Sequence, residues 1–158
     1  MERRSFFKAA LAGGVMALAG KGIVFAERYF PIPVDEDLFK DINRVEDWGN
    51  ATKLQEKHAP LIEAPGRVTA GKPFSVDVTV GKILHPMGTE HWIEYIHLNV
   101  GNQPAGMITF RSHGYLNPTA KFEMVLGKDL KGKKVSLIAQ EKCNLHGLWE
   151  NYVNVEVI

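Results

Sequence analysis

Residues Pro73 to Val80 have the sequence PFSVDVTV, in which apolar side chains alternate strictly with polar ones. The apolar set is Phe74, Val76, Val78 and Val80, and the polar set is Ser75, Asp77 and Thr79. Successive side chains of a β-strand point to opposite faces, so a period of two predicts a strand with one face in a core. This segment decides the fold class, because similar runs follow along the rest of the chain.

Six further β-rich runs lie beyond Pro60. They are 62–69, 91–100, 106–111, 119–126, 133–140 and 149–157. Turn residues separate them, for example in the segments 101–104 and 117–118. The gaps leave no room for crossover helices, so the strands are expected to pair antiparallel. We therefore predict an all-β fold, a seven-stranded immunoglobulin-like antiparallel β-sandwich.

The N-terminal residues do not share this pattern. The stretch Arg3-Arg4-Ser5-Phe6-Phe7-Lys8 precedes an apolar run, 9–19, and a small-residue site that ends at Ala26. This order predicts a twin-arginine signal peptide over residues 1–26, cleavage after Ala26, and a periplasmic or other extracytoplasmic location. The apolar run is too short to span a bilayer comfortably, so membrane anchoring is expected only if the signal stays uncleaved.

Residues 27–34 contain two prolines and are predicted to form an extended linker. Apolar residues three or four apart then predict a short amphipathic helix from Asp35 to Trp48, with Asp35 as its N-cap. The folded domain is expected to span residues 35–158. Removal of residues 1–26, with four basic and one acidic residue, leaves 15 basic and 17 acidic side chains. This balance, without an arginine-rich run, argues against nucleic acid as a partner.

The chain has one cysteine, Cys143, which cannot form an internal disulfide. It stands three residues before His146 and Gly147, a spacing that lets a tight loop present both side chains to one ion. Three more histidines occupy predicted loop positions at the ends of strands or helices: His58, His85 and His91. Four imidazoles and one thiolate are donors that suit a first-row transition metal. His97 and His113 fit no such pattern and are interpreted as structural or surface residues.

These residues leave three classes of function open. The first is a redox enzyme with a transition-metal centre. The second is a copper electron-transfer sandwich, although the methionine that usually follows its last histidine is absent after His146. The third is an immunoglobulin-like binding module with incidental histidines. Zinc fits less well, because five nitrogen and sulfur donors exceed its usual four ligands.

Three segments are informative when they are taken together: Glu56-Lys57-His58, His85-Pro-x4-His91-Trp-Ile-Glu-Tyr-Ile and Cys143-Asn-x-His146-Gly-Leu-Trp. They resemble the superoxide reductases of the neelaredoxin type in the desulfoferrodoxin family. The resemblance runs from about Glu36 to Ile158. It implies an immunoglobulin-like sandwich that reduces superoxide to hydrogen peroxide by one electron. Four extra cysteines of the members with a rubredoxin-like centre are missing, so the chain resembles the one-iron class.

The resemblance also implies roles for individual residues. The equatorial ligands of one iron ion per chain would be His58, His85, His91 and His146. Cys143 would be the axial thiolate, Glu56 the sixth ligand in the ferric state, and Lys57 the residue that assists the incoming anion. The implied partners are superoxide, a small electron-donor protein (rubredoxin-like or a cytochrome) and further copies of the chain in a dimer or tetramer. Lys82 and Lys142 also flank the ligand segments, without a definite role.

Overall fold

A computed structural model describes residues 35–158. The predicted signal peptide, 1–26, and the predicted linker, 27–34, lie outside the described residues. Within the described part, no helix is long and apolar enough to cross a membrane. The strands of this part are β1 Ile42–Asn43, β2 Pro60–Glu63, β3 Arg67–Val68, β4 Pro73–Val80, β5 Ile93–Val100, β6 Gln103–Thr109, β7 Thr119–Val125, β8 Lys134–Cys143 and β9 Gly147–Val157. Its helices are α1 Lys53–His58 and two 3₁₀ turns, Glu36–Phe39 and Lys128–Leu130.

The strands form two sheets. The larger sheet has the order β1-β9-β8-β5-β6, with β3 also paired to β9, and the smaller sheet has the order β2-β4-β7. All pairs are antiparallel except those of the two-residue strands β1 and β3 with β9. The prediction of an all-β antiparallel sandwich is therefore confirmed. The predicted first strand, 62–69, is divided into β2 and β3.

The core is built from the inward-facing side chains of both sheets. Its fully buried members include Val76, Val78, Val80, Ile96, Leu98, Leu137, Ala139 and Val155. The alternation in β4 was predicted correctly, since Val76, Val78 and Val80 are 0% exposed. Burial of each valine stabilises the fold by roughly 1.5–3 kcal/mol relative to exposure. This core supports the loops at one end of the sandwich.

The predicted helix from Asp35 to Trp48 is wrong. Asp35 does cap a helix by accepting from the Asp37 backbone N–H at 3.2 Å, but this helix is a single 3₁₀ turn that ends at Phe39. The Asn43 side chain then donates to the carbonyl oxygens of Leu38 and Leu148, both at 2.9 Å. These bonds hold β1 beside β9, so pairing with a distant strand replaces the local helix.

Helix α1 was not predicted, because His58 was expected in a loop. The helix begins with a capping box, in which Thr52 Oγ1 accepts from Gln55 N–H at 3.3 Å and Gln55 Oε1 accepts from Thr52 N–H at 2.8 Å. It ends before Pro60, since the residue that precedes a proline avoids the helical conformation. Six residues are too few to show a helical period, which is why the sequence pattern did not reveal it.

Candidate metal centre

Cys143 and His146 lie at the tip of the β8–β9 hairpin. Cys143 pairs with Gly147, and residues 144–146 form the three-residue loop between them. Gly147 has φ +75°, which this hairpin geometry requires and which glycine adopts without steric cost. The Leu38 carbonyl oxygen occupies the position that a Cβ atom at residue 147 would take. The expectation of a tight turn at Gly147 is therefore confirmed, and the N-terminal 3₁₀ turn packs directly on it.

The other histidines reach the same end of the sandwich from different elements. His58 is the last residue of α1, which leads into β2, and His85 follows β4; both strands belong to the smaller sheet. His91 precedes β5, which belongs to the larger sheet. The hairpin of β8 and β9, which carries Cys143 and His146, belongs to the same sheet. Both sheets therefore contribute donors. His58 and His85 are 1% exposed, and Cys143 is fully buried.

Four imidazole nitrogens form the corners of a square. His58 Nε2 lies 3.1 Å from His85 Nε2 and 3.0 Å from His146 Nδ1. His146 Nδ1 lies 3.1 Å from His91 Nε2, and the ring centroids of His91 and His85 are 4.4 Å apart. Neighbouring rings meet at 73–78°. Two donors at right angles on an ion with bonds of about 2.1 Å are about 3.0 Å apart, so the square has the dimensions of four equatorial ligands.

The Cys143 sulfur lies against this square. Its Sγ atom is 3.1 Å from His91 Nε2 and 3.5 Å from His146 Nδ1. An axial sulfur at about 2.3 Å from an ion would be about 3.1 Å from each equatorial nitrogen, so the position fits an axial ligand. The ligand atoms of His58, His85, His91 and Cys143 all lie within 4.8 Å of one another. The structure therefore brings together Cys143 and the four histidines for which a ligand role was predicted, without Glu56.

Backbone carbonyl groups determine which ring nitrogens carry protons. His58 Nδ1 donates to Leu54 O and His85 Nδ1 donates to Pro86 O, each at 2.7 Å. A neutral imidazole has one N–H, so both Nε2 atoms carry lone pairs that face each other at 3.1 Å. This arrangement is repulsive unless a cation lies between the nitrogens. Ligand histidines are commonly held by such bonds from the second ring nitrogen.

Burial keeps the cluster uncharged when no cation is present. Desolvation lowers the pKa of His58 to about 4, of His85 to about 3 and of His91 to about 4, and it also lowers that of His146. Burial raises the pKa of the Cys143 thiol to about 12, although backbone N–H groups of Leu145 and His146 partly oppose this. Neutral imidazoles can bind a metal at once, and a bound cation would ionise the thiol.

The donor set discriminates among metals. Four nitrogens and one sulfur exceed the four ligands that zinc usually takes. A copper electron-transfer site has two histidines, one cysteine and a weak methionine ligand, whereas Met87 Sδ accepts from the Ile93 backbone N–H at 3.4 Å. Imidazole donors suit iron as well as zinc and copper, and iron is the metal that the resemblance implies. The donor set therefore fits iron better than a copper electron-transfer site, and the clustering of the donors argues against incidental histidines.

The two residues before His58 occupy the same helix, α1, and both are half-buried. After burial, the charge of Lys57 is a further cause that lowers the pKa of His58, His91 and His146, so this positive charge acts on three of the four imidazoles. No side-chain hydrogen bond or ion pair of Glu56 occurs within residues 35–158, so its predicted role as sixth ligand stays a prediction.

The remaining candidate cations and histidines have other surroundings. Lys142 forms an ion pair with Glu94 at 2.9 Å, and Lys82 Nζ lies 4.4 Å from the centroid of the Trp48 ring. His97 is half-buried within β5, and His113 is exposed in the loop after β6 with φ +62°. Neither histidine contributes to the square, in agreement with the interpretation of both as structural or surface residues.

Two residues to which the sequence assigned no role hold the ligand segments together. The Asn144 side chain donates to Glu90 O at 2.8 Å and accepts from the Trp92 N–H at 2.9 Å, so it ties the hairpin tip to both neighbours of His91. The buried Trp149 donates from Nε1 to His146 O at 2.8 Å, and its ring stacks on that of His58 at 5.3 Å. In the sequence, only the proximity of Asn144 and Trp149 to Cys143 and His146 could have indicated these roles.

Glu141 is another residue near the ligands to which the sequence assigned no role. It lies two residues before Cys143 on the inward face of β8 and is fully buried, with neither carboxyl oxygen hydrogen-bonded within the described residues. Burial, with the charge of Glu94, raises the pKa of Glu141 well above its ordinary value. The alternation of buried residues along β8 could have revealed this inward position, because positions 137, 139, 141 and 143 share one face.

Replacement of Asn144 by alanine is expected to weaken metal binding by about ten- to a hundredfold, since residues that orient ligands typically have effects of this size. Both side-chain bonds to the His91 loop are lost, so the loop and the hairpin tip move independently. Competition with a chromogenic chelator measures the affinity. Asn154→Ala, which removes an exposed amide that bonds only Ser136, is the control. Equal affinity of Asn144→Ala and the wild type would contradict the role of Asn144.

The lowered histidine pKa values predict acid sensitivity of the metal-free protein. Histidines of the unfolded chain titrate near 6.5, whereas folded His58 and His85 titrate at about 4 and 3. Between these values the unfolded state binds more protons, so stability is fully present above pH 6.5 and is lost as the pH falls through this window. From pH 7 to pH 5 each buried histidine removes roughly 2 kcal/mol.

Urea unfolding of chelator-treated protein at pH 7 and pH 5 measures this loss. The double variant His58→Gln/His85→Gln should lose the part of this difference that the two histidines cause, whereas His91 and His146 keep theirs. His113→Gln, at an exposed position, should retain the full difference. A wild-type stability that does not change from pH 7 to pH 5 would contradict the prediction.

The chain is similar to known proteins in both sequence and structure. The family model described as Desulfoferrodoxin matches residues 50–152. A superoxide reductase of Pyrococcus abyssi is 39% identical over 126 residues, which cover 75% of this chain and 100% of the relative. The neelaredoxin of Megalodesulfovibrio gigas is 33% identical over 129 residues, with 70% of this chain and 92% of the relative covered. The solved structure of a superoxide reductase (neelaredoxin) from Ignicoccus hospitalis has a TM-score of 0.63 at 32% identity, covering 78% of this chain and 98% of that one.

Proposed function

Because the chain belongs to the desulfoferrodoxin family, we propose that it is a superoxide reductase of the one-iron class. The observation that supports this most strongly is the square of four imidazole nitrogens with the Cys143 sulfur against it. Superoxide, one electron and two protons give hydrogen peroxide. Iron held by these five donors would supply the electron, and we propose one iron ion per chain.

The protein residues prepare this site for a small anion. The four neutral imidazoles add no negative charge around the site, so an anionic substrate meets little repulsion from them. Cys143 would supply the one anionic donor once a bound metal has ionised its thiol. Lys57 adds positive charge next to the square, which attracts superoxide and orients it. Glu56, on the same helix, is proposed as a further ligand that would hold the iron in its oxidised state.

The decisive experiment combines metal analysis with rapid kinetics. The purified protein should contain one iron ion per chain, and its oxidised form should absorb in the red through thiolate-to-iron charge transfer. Superoxide generated by pulse radiolysis should oxidise the pre-reduced protein, with hydrogen peroxide as the product. Zinc or no metal in the purified protein, or failure to consume superoxide when iron is bound, would contradict the proposal.

Replacement of Lys57 by methionine is expected to slow superoxide capture by about threefold to tenfold at low ionic strength and to reduce its salt dependence. The positive charge beside the square is lost while the aliphatic part of the side chain is kept. Stopped-flow or pulse-radiolysis rates at several salt concentrations measure the change. Lys131→Met removes the same charge from the turn at 127–133 and should retain the wild-type rates. Identical rates and salt slopes of Lys57→Met and the wild type would exclude this role.

The proposal extends to export, assembly and electron supply. Residues 1–26 are proposed to direct twin-arginine export and to be removed, so the enzyme would act in the periplasm or another extracytoplasmic space. Mass spectrometry of the N-terminus of protein isolated from that compartment tests this step. The enzyme is further proposed to form a homo-oligomer, which sedimentation would measure, and to receive electrons from a small redox protein.

A further inference from the structure

Four large apolar side chains are exposed on two loops beside the metal centre. They are Ile83, Leu84, Tyr115 and Leu116, with exposed fractions of 40%, 61%, 104% and 67%. We call these four residues the apolar face. Single exposed apolar residues are common, but a group on neighbouring loops at a functional site indicates an interaction surface.

The two loops of the apolar face are joined at two points. The Val80 N–H donates to Pro118 O at 3.0 Å, and the His113 N–H donates to Gly88 O at 3.3 Å. The loop after β4 is also bound to α1, because the Ile83 N–H donates to Glu56 O at 3.2 Å. The face is therefore attached to the helix that carries His58.

The apolar face lies one residue from a buried ligand. Leu84 is exposed, whereas the next residue, His85, is 1% exposed and points Nε2 into the square. Adjacent Cα atoms are only 3.8 Å apart. The His85 ring also donates from Nδ1 to the carbonyl oxygen of the exposed Pro86 at 2.7 Å. A protein seated on Leu84 would thus be connected to the centre through one short covalent and hydrogen-bonded route.

Charge around the face has the opposite sign to the rest of the described chain. Helix α1 and the two loops, 81–92 and 111–118, carry four cations and two carboxylates: Lys53, Lys57, Lys82 and Arg111 against Glu56 and Glu90. None of the six forms an ion pair within residues 35–158. Residues 35–158 as a whole carry 14 cationic and 16 carboxylate side chains. The surroundings of the face therefore favour an acidic partner.

Two other exposed apolar residues are too distant to serve the centre. Ile158 and Val125 lie at the far end of the sandwich from Cys143. Strand β9 has 11 residues, which at about 3.3 Å per residue span about 36 Å between these ends. A redox partner bound there could not exchange electrons efficiently with the centre.

We propose that the apolar face is the docking surface for a small acidic one-electron donor protein whose own redox centre lies beneath apolar residues. This inference rests on the proposed function, because a reductase that has given its electron to superoxide must be reduced again. The transfer oxidises the donor by one electron, reduces the centre by one electron, and forms or breaks no covalent bond. Four exposed side chains match the small interfaces of transient redox complexes.

The test uses the iron-loaded protein and the double variant Leu84→Glu/Tyr115→Glu. The control is Met107→Glu/Tyr152→Glu, which adds the same charge at two other exposed apolar residues, 57% and 59% exposed, on strands β6 and β9. Reduced rubredoxin, a small acidic iron protein, is the donor probe. Reduction of the oxidised protein should slow at least tenfold in the first variant and less than twofold in the control. Ascorbate, which needs no docking surface, should reduce all three proteins equally.

Binding is measured separately with zinc-substituted rubredoxin, which transfers no electron. Amide shifts in the nuclear magnetic resonance spectrum should concentrate in residues 81–88 and 111–118 and disappear in the Leu84→Glu/Tyr115→Glu variant. Equal slowing in both variants, shifts located elsewhere, or a changed oligomeric state of this variant alone would overturn the proposal; the last result would identify the face as a contact between copies. Oxidation of the pre-reduced variants by superoxide tests the proposed function independently of docking.

Discussion

Replacement of Cys143 by serine is expected to abolish the red absorption of the oxidised protein and to slow superoxide reduction by about a hundredfold or more. The sulfur lies 3.1 Å from His91 Nε2 and would be the only soft, anionic donor among the five predicted ligand residues. A serine hydroxyl has nearly the same size but does not ionise in this position. Loss of a ligand should exceed the ten- to hundredfold effects of residues that only orient ligands. Metal analysis, optical spectra and pulse radiolysis measure these changes.

The same variant also separates catalysis from folding. Cys143 is fully buried, and the isosteric serine leaves the packing of the β8–β9 hairpin almost unchanged. The metal-free forms of the wild type and of Cys143→Ser should therefore unfold at denaturant concentrations that differ by little. Retention of the red band in the variant would show that the band does not arise from the Cys143 sulfur, and the assignment of Cys143 as a ligand would be wrong.

Replacement of Gly147 by alanine is expected to destabilise the protein by about 3 kcal/mol or more and to prevent normal metal binding. The positive φ of +75° costs a residue with a Cβ roughly 1–2 kcal/mol. The new Cβ would also collide with the Leu38 carbonyl oxygen, so the N-terminal 3₁₀ turn or the hairpin tip must move. Because Cys143 pairs directly with Gly147, such a movement displaces a ligand.

Gly132→Ala is the matched control for this prediction. Gly132 has nearly the same positive φ, +79°, but no atom lies within 4 Å of the position of an added Cβ. Its replacement should lower the free energy of unfolding only by the roughly 1–2 kcal/mol that a positive φ costs a residue with a Cβ, and it should leave metal affinity unchanged. Urea unfolding and iron titration of both variants measure the difference. If the two alanine variants lose the same stability, the contact with Leu38 has no energetic importance.

The parts of the fold that were predictable are those encoded by local repetition. Strand β4 was recognised because its alternation reflects one buried face, and that alternation holds in the structure. The segment 35–48 was mistaken for a helix because its apolar spacing is equally local. What decides its structure is the bond of Asn43 to Leu148, 105 residues away, and no local period contains that information.

The ligand residues were predictable for a different reason. The chain has few residues that bind soft metals, and their spacing matched a known family. The sequence could not reveal that His146 uses Nδ1 whereas His58, His85 and His91 use Nε2. It could not reveal the Asn144 contacts either, because they depend on the docking of one loop against another. The orientation of donors is a property of packing between elements, which residue types alone do not specify.

The division of the donors between the two sheets has a consequence for the folding of the chain. His58 and His146 are 88 residues apart, so a bound ion closes a long loop of the polypeptide as a disulfide would. The ion can close this loop only after the two sheets have packed together. Metal binding is therefore expected late in folding, where it stabilises a sandwich that has already formed. Removal of the ion should therefore accelerate amide hydrogen exchange in strands of both sheets, and most of all at the end where the loop is closed.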